Sequence, residues 1–294
     1  MTTIGFLGFG EAASYLAEGL GLAGGTGMLT YDIAQDTSPL IRERAARTGT
    51  TVVDGPVELA QAADVVVSAV VCTQAGAAVD SILDGVSAGM FVLDINSVSP
   101  GVKARNAELV EARGASYVDV AVMSNASADF ARLPMLIAGP RAAEAAGLFA
   151  PAQPRMTVVS DVPGEAARIK MFRSAFVKGL EALSLEAMMA CYPSGVHEKV
   201  LASFEETFGQ YSFPELVKHL IERHAVHGAR RGDELVQVGD SLREVGVEPI
   251  MASAGAKRMH WDVERGLQAG FQGGDDPDWI DVLEKLDELR RAEA

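Results

Sequence analysis

The stretch Ile4-Gly5-Phe6-Leu7-Gly8-Phe9-Gly10-Glu11-Ala12-Ala13 decides the fold. Its first half is a short apolar run that reads as a buried strand, and the Gly8-x-Gly10-x-x-Ala13 pattern then opens a helix. In that order each small residue has a task. The first glycine permits a tight turn, the second lets backbone approach a pyrophosphate, and Ala13 lets the helix pack closely on its strand. The free N–H groups at the helix start face the phosphates, helped by the helix dipole. The fingerprint therefore predicts a dinucleotide site built on Gly8, Phe9, Gly10, Glu11 and Ala12.

Outward from it, seven more β-branched or aliphatic runs follow: Met28 to Tyr31, Thr51 to Val53, Val65 to Ala69, Phe91 to Leu93, Tyr117 to Val122, Met135 to Ala138 and Met156 to Val159. They alternate with helical stretches such as Leu40 to Arg47, Ala75 to Leu83 and Val102 to Arg113. Alternation of this kind predicts a doubly wound, mostly parallel sheet, and unbroken runs such as Val65-Val66-Val67 suit strands buried on both faces. The expectation is an α/β Rossmann domain over residues 1–163. After Pro163-Gly164 the pattern changes. Glu165 to Cys191 contains no proline and one glycine, Gly179, which predicts a single helix of roughly 40 Å at 1.5 Å per residue. The rest is helical in character, so residues 164–294 are expected to form an all-α domain for substrate binding and dimerisation. In its last segment Trp279, Leu283, Leu286 and Leu289 stand at helical spacing, a stripe for packing on its own domain or at a subunit interface.

The second strand ends in Tyr31-Asp32, about 20 residues after the glycines, where a carboxylate accepts hydrogen bonds from ribose hydroxyls. Asp32 to Asp36 contains no Arg or Lys, and Asp32 would repel a 2′-phosphate, so NAD is expected over NADP. The plain alternative for Asp32 is a solvated turn residue. Strand order in such sheets puts the nicotinamide end near Val70, Val71, Asn96 and Ser97.

Composition narrows the function. With 40 acidic and 25 basic residues the 294-residue chain carries a formal charge of −15, which repels polyanions and argues against nucleic-acid binding. The most apolar stretch, Val65 to Val79, is interrupted by Ser68, Thr73, Gln74 and Gly76, so no membrane span is expected. The first basic residue is Arg42, and Glu11 and Glu18 interrupt the apolar start, unlike a secretory leader; a cytoplasmic location is expected. Cys72 and Cys191 are distant and read as reduced thiols. His224 and His227 stand at i, i+3 without a third ligand, so no metal is expected.

Four segments together resemble the β-hydroxyacid dehydrogenase family, which includes 3-hydroxyisobutyrate and 6-phosphogluconate dehydrogenases. They are the Ile4 to Gly10 opening, Asp94-Ile95-Asn96-Ser97-Val98-Ser99-Pro100, Asp119-Val120-Ala121-Val122-Met123-Ser124, and Lys170 in the long helix after Gly164. The chain looks like the branch with an atypical helical C-terminal domain. The resemblance implies a homodimer, an active site between the two domains, and Lys170 as general acid/base. It implies a loop beside the nicotinamide containing Asn96 and Ser97, and a substrate-carboxylate loop containing Ser124 and Asn125. Three departures stand out. The family's Asn after the lysine is missing from Lys170-Met171-Phe172-Arg173-Ser174, so either Ser174 takes its place or the substrate differs. The second family lysine is absent near Asp233-Glu234-Leu235, where Arg230 and Arg231 stand one turn earlier, either solvated or reaching an anionic substrate. The carboxylate loop lacks its paired glycines.

The expected activity is hydride transfer between NAD and a small hydroxy or keto acid, a 3-hydroxy acid above others. A lysine serves as base when desolvation or a nearby cation favours its neutral form. Arg173 is that cation or else a partner of Glu165 or Glu181. The alternatives are an imine or ketone reductase of the same fold and a dinucleotide-binding protein without turnover.

Overall fold

A computed structural model describes residues 2–24, 27–124, 133–150, 155–271 and 277–292. All eight apolar runs become strands of one sheet: β1 (Thr3–Leu7), β2 (Gly27–Tyr31), β3 (Thr51–Val52), β4 (Val65–Ser68), β5 (Phe91–Asp94), β6 (Ser116–Val122), β7 (Pro134–Ala138) and β8 (Arg155–Ser160). Their spatial order is β3-β2-β1-β4-β5-β6-β7-β8. Neighbours are parallel except β6 and β7. The chain reverses direction at β1, passing outward to β3 on one side and to β4 on the other, so a crevice opens at the carboxyl ends of β1 and β4.

Helices α1 (Glu11–Ala23), α2 (Pro39–Thr48), α3 (Pro56–Ala62), α4 (Ala75–Ile82), α5 (Pro100–Glu111) and α6 (Ala142–Phe149) cover both faces of this sheet. The period of two along each strand divides the core. Val65, Val67 and Leu93 pack with Leu16, Leu20 and Phe149 on one face. Val66 and Val92 pack with Leu59, Val79, Ile82 and Val110 on the other. Val65, Val66 and Val67 are fully buried, and each such side chain contributes up to about 1.5–3 kcal/mol.

The chain divides into two compact units, Met1–Ala175 and Phe176–Ala294. The long helix α7 (Glu165–Cys191) spans the boundary. Its first turns belong to the sheet unit because the Asp119 carboxylate, on β6, accepts the N–H groups of Gly164 and Ala167 at 3.2 and 2.8 Å. Gly164 has φ +100°, and a Cβ there would lie 3.0 Å from the Pro100 carbonyl oxygen.

The second unit contains α8 (His197–Phe208), α9 (Phe213–Glu244), α10 (Ile250–Glu264) and α11 (Trp279–Ala292). α9 and α10 approach closely because two glycines leave room: a Cβ at Gly228 would lie 3.0 Å from Val263, and one at Gly232 2.5 Å from His260. Glu186, on α7, accepts the N–H groups of Met251 and Ala252 at 2.7 and 2.9 Å and so caps α10. In α11 the buried position is Val282, with Leu286 and Leu289 beside it against Ala225 and Leu267. Leu283, expected in the stripe, is exposed. Both residues are apolar, and the spacing 282, 286, 289 is as helical as 279, 283, 286. Among the described residues no helix is long and apolar enough to cross a membrane.

Candidate dinucleotide and catalytic site

The turn after β1 has the geometry its glycines demand. Gly8 adopts φ +88°, and a Cβ there would lie 2.6 Å from the Ala69 carbonyl oxygen. Its N–H donates to the Tyr31 carbonyl at 2.8 Å. Phe9 sends its fully buried ring into the core and its N–H to Asp32 Oδ2 at 2.7 Å. Gly10 caps α1 with φ −66°, a conformation open to any residue. A Cβ at Gly10 meets no protein atom within 4 Å. Gly8 is thus required by the protein itself, whereas Gly10 leaves space in front of the helix.

That space belongs to a cavity of about 770 Å³ bordered by Gly8, Gly10, Glu11, Ala12, Asp32 and Val70, with Val71 also on its wall. The volume lies in the range of about 300–1,000 Å³ usual for small-molecule and cofactor sites. Asp32 Oδ1 also accepts the Ala34 N–H at 2.8 Å. A carboxylate offers about four acceptor sites, so Asp32 holds the glycine turn and keeps capacity for ribose hydroxyls. Glu11 lies in the first turn of α1, where its carboxylate accepts the Tyr15 hydroxyl at 3.2 Å. Among the described residues no Lys or Arg lines the cavity. The cation nearest in the fold to Asp32–Asp36 arrives from α2: Arg42 donates to the Gln35 carbonyl at 3.1 Å and to Asp36 at 2.7 Å.

At the carboxyl ends of β4 and β5 the expected residues meet. Asn96 is buried; its Oδ1 accepts the Val70 N–H at 2.7 Å and its Nδ2 donates to Ser68 Oγ at 2.9 Å. The neighbouring Ser97 is exposed, and the half-buried Lys170 donates from Nζ to Ser97 Oγ at 2.6 Å across 73 residues of sequence. Six of the expected residues are therefore joined directly in three pairs: Phe9 with Asp32, Val70 with Asn96, and Ser97 with Lys170.

Below this surface lies a polar network that the sequence did not disclose. Asp94, the last residue of β5, and Asp119, in the middle of β6, are partners in register on parallel strands, and both are fully buried. Lys103, on α5 and also fully buried, sends Nζ to Asp94 Oδ1 at 2.9 Å, Asp119 Oδ1 at 3.3 Å and the Asp94 carbonyl at 2.6 Å. Asp94 also accepts the Tyr117 hydroxyl at 2.7 Å, the Asn106 amide at 3.4 Å and the Asn96 N–H at 2.9 Å. Burial, and then the Asp94 carboxylate, push the Tyr117 phenol well above its ordinary range, so it stays a donor. A signal was present: the inward positions of α5 are 103, 106, 107 and 110, a helical face that carries Lys and Asn where apolar residues are expected.

Other expected residues are less connected. Ser124 is exposed at the end of β6, and Asn125 lies outside the described residues. Arg173 is exposed and Ser174 half-buried one turn beyond Lys170. Among the described residues no side-chain hydrogen bond or ion pair ties Ser124, Arg173 or Ser174 to the Lys170–Ser97 pair. Glu165 pairs with Arg168 at 3.5 Å. In the second unit Arg230 pairs with Glu234, and His224 with Asp262 at 3.0 Å, while His227 is exposed. Among the described residues no group of three His, Cys, Asp or Glu side chains is placed to hold a metal ion.

Comparison with known proteins places this geometry. Residues 3–97 match the family model described as NADP oxidoreductase coenzyme F420-dependent, and residues 193–261 match a domain of unknown function, DUF1932. A conserved hypothetical protein of Sinorhizobium meliloti 1021 is 31% identical over 98% of this chain and 97% of its own, with a TM-score of 0.61. Mitochondrial 3-hydroxyisobutyrate dehydrogenase of Mus musculus is 27% identical over 131 residues, 43% of this chain and 38% of that protein. An imine reductase variant from Myxococcus stipitatus, solved with NAD+, shares the fold at 16% identity and a TM-score of 0.75, covering 97% of this chain and 99% of that one. The chain belongs to the β-hydroxyacid dehydrogenase family, in the branch with a helical C-terminal part, and has an NAD(P)-binding oxidoreductase fold related to 3-hydroxyacid dehydrogenases and imine reductases.

Proposed function

We propose that the protein is an NAD-dependent dehydrogenase of a small hydroxy acid, a 3-hydroxy acid above others, with Lys170 as general acid/base. One observation carries the reading: Lys170 donates to Ser97 Oγ at 2.6 Å beside the ends of β4 and β5. The cavity fits a dinucleotide because Gly10 borders it with no protein atom within 4 Å of a Cβ position. Gly8, Phe9, Gly10, Glu11 and Ala12 would face the phosphates, Asp32 the ribose, and Val70, Val71, Asn96 and Ser97 the nicotinamide end.

The bound cofactor supplies hydride acceptance or donation; the chain's own residues handle the proton. In the reducing direction the Lys170 ammonium releases a proton from Nζ to the substrate oxygen. In the oxidising direction neutral Nζ accepts the hydroxyl proton. Ser97 Oγ holds Nζ through their 2.6 Å hydrogen bond. Ser124, Asn125, Arg173 and Ser174 are the candidates for gripping the substrate. Asp32 and Asp36 oppose a 2′-phosphate, which supports NAD over NADP, and Arg42 does not reverse this because Asp36 neutralises it. The protein is read as a cytoplasmic homodimer. Exposed apolar residues along the second half of α7, among them Leu185 and Met189, support a subunit contact.

Initial rates with NAD and NADP across aliphatic, sugar-derived and aromatic hydroxy acids test the reading. It requires 3-hydroxy-acid-dependent NADH formation that Lys170→Met slows at least about 100-fold. Tight NADH binding with no turnover of any acid would instead identify a binding protein.

A further inference from the structure

We infer that Lys103 is a positioning residue: a wholly buried lysine that holds both partners of the Lys170–Ser97 hydrogen bond by bridging two carboxylates on adjacent strands. The inference rests on the catalytic reading of Lys170 given above.

Asp94 and Asp119 stand side by side on parallel strands, where neighbouring backbones lie about 4.8 Å apart. Neither has solvent, and two bare carboxylates so placed repel each other strongly. Lys103 enters from α5, donates a hydrogen bond to the Asp94 carbonyl at 2.6 Å, and stands within ion-pair distance of Asp94 Oδ1 at 2.9 Å and Asp119 Oδ1 at 3.3 Å. The triad keeps one net negative charge, which the first turn of α7 balances through the Gly164 and Ala167 N–H groups on Asp119 Oδ2.

Each carboxylate then leads to one partner of the site. Asp119 fixes Ala167, and Lys170 is three residues further along the same helix, on the same side. Asp94 Oδ1 fixes the Asn96 N–H at 2.9 Å, and Ser97 follows it. The ammonium is the tie between these two arms, so its removal frees α7 and the 96–97 loop to shift against each other. It touches neither the glycine turn nor Asp32. The chemistry of proton transfer is sensitive to such shifts: a misplacement of about 1 Å costs on the order of 100-fold in rate. A lysine whose only work was to neutralise charge would have no such selectivity for turnover.

The test is a double-mutant cycle on the full-length protein with its best hydroxy acid and NAD. Lys103→Met is expected to lower kcat about 10- to 100-fold while the NADH Kd stays within about threefold, and to lower kcat far less in a Lys170→Met background, because an arm that acts through Lys170 has nothing left to position. Should Lys103→Met fold poorly, Lys103→Met/Asp119→Asn restores the same buried net charge and carries the same expectation. Equal losses from Lys103→Met with and without Lys170, or wild-type kcat in the charge-balanced double variant, would overturn the inference. Wild-type turnover by Lys170→Met would instead overturn the catalytic reading beneath it.

Discussion

Replacing Gly10 and Gly8 by alanine, one at a time, separates a glycine kept for a ligand from a glycine kept for the fold. At Gly10 the backbone already has φ −66°, and the added methyl meets no protein atom within 4 Å. Alanine is a poorer N-cap than glycine by about 1 kcal/mol, and it recovers about 0.4–1 kcal/mol by restricting the unfolded chain, so the net change in stability is close to zero. The methyl points to the space bordering Asp32 and Val70, where a pyrophosphate must approach the backbone. The NADH Kd is expected to rise about 10- to 100-fold, equivalent to roughly 1.4–2.8 kcal/mol. At Gly8 the same change forces an L-residue to φ +88° with its Cβ 2.6 Å from the Ala69 carbonyl oxygen. The left-handed conformation costs about 1–2 kcal/mol, and the overlap displaces the loop after β4, for a total of about 2–4 kcal/mol and a Tm lower by about 5–15 °C. Thermal melts read the stability, and quenching or transfer from protein tryptophan to NADH reads the affinity. An unchanged NADH Kd in Gly10→Ala, at unchanged Tm, refutes the assignment of this cavity to the dinucleotide.

Further expectations follow from the same contacts. Asp32→Asn keeps an acceptor for the Phe9 N–H but removes the charge facing a 2′-phosphate, so the ratio of NAD to NADP catalytic efficiency should fall about tenfold; a wild-type enzyme that already prefers NADP would refute the role of Asp32. Tyr117 is protonated in the fold beyond the pH where the unfolded chain ionises. The stability it confers is complete below about pH 10 and declines above it by up to roughly 1.4 kcal/mol per pH unit, a slope that denaturant titrations should find missing in Tyr117→Phe. Glu186→Gln leaves an acceptor on the N–H groups of Met251 and Ala252 without its charge, and is expected to cost the helical unit about 1–2 kcal/mol while NADH binding is unaltered; a weakened NADH Kd would contradict the purely structural role given to it.

The fold was legible because its decisive signals are local. Val65-Val66-Val67 and Phe91-Val92-Leu93 are continuous where a strand is buried on two faces, and Gly8 has a backbone angle that only glycine tolerates easily. The helix predicted from Glu165 to Cys191 has those ends. What stayed hidden depends on contacts between distant segments. Lys103 and Asn106 stand on the inward face of α5, but what they pair with is hidden until Asp94 and Asp119 are known to be register partners on neighbouring strands. Arg42 lies outside the Asp32–Asp36 segment and folds back onto it from the next helix. Val282 and Leu283 are adjacent apolar residues, so periodicity alone does not choose which faces inward; the packing on Ala225 and Leu267 chooses Val282. The meeting of Ser97 and Lys170 was accessible only through family resemblance, since no local pattern links residues 73 apart.

The central claim is that Lys170 moves the proton while the dinucleotide sits in the crevice over β1 and β4. Its most direct test is single-turnover NADH formation by wild type and Lys170→Met at saturating NAD and 3-hydroxy acid, with NADH affinity measured in parallel. The account predicts a rate lowered at least about 100-fold in the variant at unchanged NADH Kd, as general acid/base contributions of about 10²–10⁴ require. A variant that forms NADH at the wild-type rate contradicts it.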